Sequence, residues 1–177
     1  MKVKSFEGMV CSIAGALEWV GDRWTMLVLR DLFIGLTQFE EFRESTGISP
    51  TTLSSRLNAL VDASLVTRKP TKPGGERLEY RLTQKGRDLW PVMLAIAHWG
   101  DRHEASGKSE PPILFVDRET GKPVELQLGN REDGSTIRPQ DIEIIAGPSA
   151  DSKHQWRFEQ AGSKVIAFPG RASREAS

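Results

Sequence analysis

The chain has 177 residues, 38% of them hydrophobic, and its 24 lysines and arginines balance 24 aspartates and glutamates. That composition excludes wholesale disorder and a fibrous repeat, and the longest uncharged stretch, Leu89 to Gly100, is too short to cross a bilayer. A single cysteine, Cys11, excludes a disulfide framework within one chain, and Glu7, Glu18 and Asp22 fit no secretory leader, so a cytoplasmic protein is expected.

Apolar residues at steps of three and four (Leu17, Val20, Trp24, Leu27, Val28, Leu32) predict two helices. The first ends near Val20, where Gly21 interrupts the run. The second runs from Arg23 to Phe33, capped by Asp22 and closed by Gly35. Thr37-Gln38-Phe39-Glu40 reads as a capping box, with Thr37 as the cap of a short helix that turns Phe39 and Phe42 inward and stops at Gly47. Ser49-Pro50 starts the next, a cap followed by a proline whose missing N–H costs nothing there. Leu53, Leu57, Leu60 and Val61 form its buried stripe, and Thr51, Ser54, Ser55 and Asn58 its small, polar opposite face. Two short helices joined by so tight a glycine-containing turn make a helix-turn-helix.

Leu65 to Lys69 and Leu78 to Leu82 alternate apolar and polar residues around a Pro/Gly-rich tip, which predicts a β-hairpin. Thr83 is expected to cap one long helix through Leu89, Val92, Met93, Ile96 and Trp99, kinked at Pro91. Beyond a seam at Ala105 to Pro112 the texture changes. Ile113 to Val116, Val124 to Leu128, Ile142 to Ile145, Trp156 to Phe158 and Val165 to Phe168 read as strands, with Asp133-Gly134 as a turn and Gly147-Pro148 as a strand end. The organisation expected is a winged helix-turn-helix domain over residues 1–105, a β-rich extension over 106–170 and a frayed tail over 171–177. The fold class is α+β.

The neutral total conceals a segregation. Residues 46–87 hold eight basic residues (Arg56, Arg68, Lys69, Lys72, Arg77, Arg81, Lys85, Arg87) against Asp62, Glu76 and Glu79, a local excess of five. Phosphate binding answers to such a patch rather than to the whole-molecule sum. Helix, helix, helix-turn-helix, hairpin, helix is the order of a winged-helix DNA-binding domain. The polar face would enter a major groove, with Thr51, Thr52, Ser54, Ser55, Arg56 and Asn58 at base edges and Lys72 and Arg77 of the wing on phosphates. Nothing points to an enzyme. Gly121-Lys122 lacks the glycine five residues upstream that a phosphate loop needs, and Ser109 and Ser149 lack the glycines of a nucleophile elbow. His98 and His103, five apart, do not share a helix face, and His154 is isolated, so neither a metal nor another cofactor is expected. Trp19, Trp24, Trp90 and Trp99 are read as core residues, with the walls of an effector pocket as the alternative.

Residues 11–102 resemble the HxlR-type winged-helix transcriptional regulators of bacteria. The resemblance rests on Cys11, Leu17, Val20-Gly21 and Trp24; on Phe39-Glu40-Glu41-Phe42; and on Gly47-Ile48-Ser49 with Leu53, Arg56-Leu57 and Leu60. It continues through Leu65-Val66-Thr67-Arg68, Glu79-Tyr80-Arg81-Leu82-Thr83, Gly86 and Trp99-Gly100. Asp22 stands where a glycine is usual, and Gln38 where a basic residue is usual. The resemblance implies a homodimer on a two-fold DNA operator, assembled through the N- and C-terminal helices, here those bearing Leu17, Trp19, Ile96 and Trp99. It also implies a candidate thiol sensor of oxidants or electrophiles at Cys11, whose other reading is a small buried hydrophobe beside Ile13. A small-molecule effector acting through the extension is a further possibility. A winged helix that binds proteins instead, or an extension that is itself a sensor or catalyst, remains open at this stage.

Overall fold

The structure, a computed structural model, describes residues 5–72 and 75–161. The chain divides into two compact units between Phe115 and Val116. The helical pattern ends earlier, but Phe115 stays with the first unit because its ring meets Trp90 at 5.7 Å and His98 at 5.8 Å between centroids.

Helix α1 (Ser12–Val20) stops at Gly21, and α2 (Arg23–Ile34) begins on Asp22, whose Oδ1 accepts from the amides of Trp24 (3.0 Å) and Thr25 (3.2 Å). Gly35 ends α2 in the left-handed region at φ 108°. Helix α3 (Phe39–Thr46) starts one residue later than its sequence suggests. Gln38 rather than Thr37 is the cap, and Glu41 rather than Glu40 reaches back, its Oε2 accepting from the amides of Thr37 (2.8 Å) and Gln38 (2.9 Å). The physical reason lies in the hairpin. The Thr37 carbonyl accepts from the Tyr80 amide at 2.8 Å, and Gln38 bridges to Glu79, so residues 37–38 are held extended along the sheet edge. Gly47, at φ 67°, turns the chain into α4 (Pro50–Asp62), capped by Ser49 with Pro50 in the first turn.

Strands β1 (Val66–Pro70) and β2 (Leu78–Leu82) pair antiparallel, with Val66 opposite Leu82 and Pro70 opposite Leu78. The core gathers Val28, Leu29, Phe42, Ile48, Leu53, Leu57, Leu60, Leu65, Val66 and Tyr80, with Phe42 edge-on to Tyr80. The single long helix expected after Thr83 is two: α5 (Gln84–Arg87), which Thr83 caps, and α6 (Trp90–Arg102). A continuous helix would set Pro91 against the Arg87 carbonyl with no N–H to bond it. Breaking at Asp88-Leu89 puts the proline in a first turn, where it loses nothing. Gly86 is required by close approach, since a Cβ there would run into the Leu65 carbonyl oxygen.

Among the described residues the second unit forms none of the expected strands. It has a 3-10 turn at Pro139–Asp141, a helix α7 (Ser152–Ala161) and two isolated bridges, Val116 to Pro123 and Gly129 to Thr136. Pro123 has no N–H with which to extend a ladder. Trp156 to Phe158, expected extended, lies inside α7, because Asp151 Oδ1 accepts from the His154 amide at 3.0 Å and starts a helix. Gly147 likewise opens a turn, its carbonyl accepting from the Ala150 amide, rather than closing a strand. The turn at Asp133-Gly134 does form, with Gly134 at φ 70° and the Ser135 amide on Asp133 Oδ1. Val165 to Phe168 and residues 171–177 lie outside the described residues. The α+β class stands on the helices and the two-stranded sheet of the first unit.

Candidate nucleic-acid interface

Ser49 fixes the start of α4, its Oγ accepting from the Thr52 amide at 3.3 Å and lying 2.9 Å from Thr52 Oγ1. Leu53, Leu57 and Leu60 are buried, so the rotation of the helix about its axis is set. That setting turns Thr51, Ser54, Ser55 and Asn58 to solvent, as their spacing requires, while Thr52 is half-buried. Two contacts on this helix have no signal in the sequence. Arg56 is half-buried, its Nε 3.0 Å from Asp22 Oδ1, an ion pair reaching to the start of α2. Asn58 Oδ1 accepts from Arg68 Nη1 at 2.7 Å, which joins the helix to β1.

The hairpin supplies the neighbouring cations. Arg68, Lys69, Lys72 and Arg77 are exposed, and the Arg77 carbonyl closes the strand ends by accepting from the Thr71 amide at 2.8 Å. Pro73 and Gly74 of the tip lie outside the described residues. Arg81 turns to Glu79, at 2.9 Å, and is balanced locally. The Glu41 carboxyl is held below the ordinary glutamate value by the Thr37 amide first and the Gln38 amide second, with a smaller pull from the charge of Arg77. The wing cation and the start of α3 therefore share one electrostatic neighbourhood.

A short turn between two helices, a polar second helix and a basic hairpin against its end form a helix-turn-helix with a wing. Residues 19–108 match the HxlR-like helix-turn-helix family. The chain belongs to that family. This HxlR-like protein is similar to an uncharacterized HTH-type transcriptional regulator of Mycobacterium tuberculosis, Rv3095. Identity is 37% over 148 residues, covering 84% of this chain and 92% of the relative. The crystal structure of PA1607, described there as a candidate transcription factor, superposes with a TM-score of 0.71 at 36% identity, covering 81% of this chain and all of that one. The reduced form of the redox regulator HypR superposes at 0.51 with 26% identity, over 56% of this chain and all of that one. The protein is thus a transcriptional regulator of the helix-turn-helix type.

Other residues singled out in the sequence are placed as follows. Leu17 and Trp19 of α1 and Ile96 of α6 are about half exposed, and Trp99 is 62% exposed. Trp90 is exposed as well, so of the four tryptophans read as core only Trp24 packs against it. One face of Trp19 is occupied: Lys85 Nζ sits 3.5 Å from its ring centroid and donates to the Ala63 carbonyl. Trp99 meets His103 at 4.9 Å between centroids. Cys11 is half-buried at the cap of α1, and Ile13 is exposed. Among the described residues no three histidine, cysteine, aspartate or glutamate side chains are grouped to hold a metal, and no helix is long and apolar enough to cross a membrane.

Proposed function

We propose that this HxlR-like protein binds double-stranded DNA sequence-specifically as a homodimer on a two-fold operator and acts in the cytoplasm by regulation rather than catalysis. Helix α4 enters the major groove with Thr51, Thr52, Ser54, Ser55 and Asn58 towards base edges, and Lys72 and Arg77 of the wing take flanking phosphates. One observation carries this reading: the exposed face of α4 is built of small uncharged donors and acceptors and lies beside an exposed basic hairpin. Half-site pairing is supplied by the unsatisfied apolar rows of α1 (Ile13, Leu17) and α6 (Val92, Ile96, Trp99), each on one helix face. Cys11, at the start of α1, stands where oxidation would alter that pairing, and the likeness to the redox regulator HypR supports an oxidant as the signal. A small-molecule effector is the alternative signal.

The test is binding to duplexes selected from the host genome across a salt series. Affinity is expected to fall steeply with salt, and Ser55→Ala is expected to cost about 1–3 kcal/mol at the selected site with little loss on mixed sequence. A protein that stays monomeric and binds no duplex at low salt would overturn the reading and favour a protein partner for the same surface.

A further inference from the structure

Helix α4 is 13 residues long and carries a single cation, Arg56. That cation is not presented outward like its neighbours. Its Nε lies 3.0 Å from Asp22 Oδ1, and the two side chains are 34% and 36% exposed, so each shields the other from water in part. The partner carboxylate is itself anchored. The same Oδ1 accepts the amide hydrogens of Trp24 and Thr25, which fixes it at the N-terminus of α2, whose residues Val28 and Leu29 lie in the core. Asp22 is therefore a stationary anion built into the scaffold, and the mobile member of the pair is the arginine of the recognition helix.

The geometry points to Asp22 as a specificity-determining residue: it holds the only cation of α4 against α2 and away from the phosphate backbone. The inference rests on the DNA-binding reading above and deepens it. Cation–phosphate contacts attract every sequence alike, because binding them releases counterions whatever the bases are. With Arg56 retained, α4 meets DNA through the uncharged Thr51, Thr52, Ser54, Ser55 and Asn58 alone, and the sequence-independent attraction is left to the hairpin. Background binding falls while base contacts are untouched, so the ratio between right and wrong sites rises. Freed of its anchor, the same guanidinium would add one phosphate contact on any sequence.

Asp22→Asn isolates the charge, because asparagine keeps a side-chain oxygen that caps α2 about as well. The readout is binding of the full chain to a mixed-sequence duplex and to the tightest duplex from a random pool, over a salt series. Asp22→Asn is expected to tighten binding to mixed sequence about threefold at physiological salt and to steepen the salt slope by about 0.9, the value of one added phosphate contact. Arg56→Gln alone is expected to leave the slope unchanged, and the double variant to match Arg56→Gln. The role is overturned if Asp22→Asn binds like the parent, if its gain persists in the double variant as a general charge effect, or if Arg56→Gln flattens the slope by itself. Asp22→Ser, which also caps and carries no charge, repeats the test should the asparagine variant lose its helical signal. A parent protein that binds no duplex at all is a different failure, since it removes the DNA-binding reading and this role with it.

Discussion

In the unit that ends at Phe115, Val28, Leu29, Phe42, Leu53, Leu57 and Leu60 are wholly buried. Among the described residues from 116 to 161 no side chain is buried, and Ile144 is 81% exposed. Both units contain runs of apolar residues of ordinary length, so the contrast does not come from composition. An apolar pattern becomes structure only when a second element covers it. Helices α2, α3 and α4 and the hairpin cover one another, whereas the turns among the described residues of the second unit close two isolated bridges and no ladder. Local rules hold in both units; among the described residues only the first adds burial to them.

Four measurements test how deep that contrast goes. Leu53→Ala empties a fully buried site on α4 and is expected to destabilise the first unit by about 2–5 kcal/mol in denaturant unfolding. A loss under 1 kcal/mol would mean that the core tolerates a gap where the helix must be held. Gly86→Ala forces a methyl group against the Leu65 carbonyl, and overpacking of this kind costs about 1–3 kcal/mol. An unchanged melting temperature would show that α5 can move off the Leu65 carbonyl without consequence.

The third effect is smaller and depends on pH. The folded Glu41 carboxyl titrates below its ordinary value, so its contribution to stability is complete above the unfolded value and is lost as pH falls through the folded one. Glu41→Gln retains an acceptor for the two amides and is expected to flatten the acid limb of the stability curve while leaving the neutral region nearly level. An acid limb identical to the parent's would contradict the hydrogen bonds assigned to Glu41. The smallest effect is expected from Ile144→Ser in the second unit, within about 0.5 kcal/mol, since the side chain is already in water. A loss of several kcal/mol would place Ile144 in an interface of the assembled protein.

The same contrast explains what could be read from the sequence. Caps and breakers at Asp22, Gly35, Gly47, Ser49 and Pro50 act within a few residues, and each stands where the pattern put it. The frame of α3 slipped by one because the decisive partner of Thr37 is Tyr80, more than forty positions away. The break before α6 was foreshadowed by Pro91, but a proline by itself does not distinguish a kinked helix from a new first turn. Among the described residues after Val116 apolar alternation failed as a strand signal, since a ladder needs a partner that local sequence does not name. At the candidate interface the exposed face of α4 was legible from its stripe of leucines. The ion pair of Asp22 with Arg56 and the bond of Arg68 to Asn58 were not, because each joins elements that only the fold brings together.

In the proposed complex, the Arg68 bond biases what Asn58 offers a base. A guanidinium only donates, so the amide atom facing it is the oxygen, and Asn58 keeps its NH2 hydrogens for other partners. An asparagine identifies adenine by using both ends at once, accepting from N6 while donating to N7. On the proposed reading, the wing takes one of the two lone pairs of that oxygen, so the freer end of Asn58 is its NH2, suited to N7 or O6 of guanine, O4 of thymine or a phosphate oxygen. Adenine at that position would ask the same oxygen to accept from the wing and from N6 together, one lone pair for each.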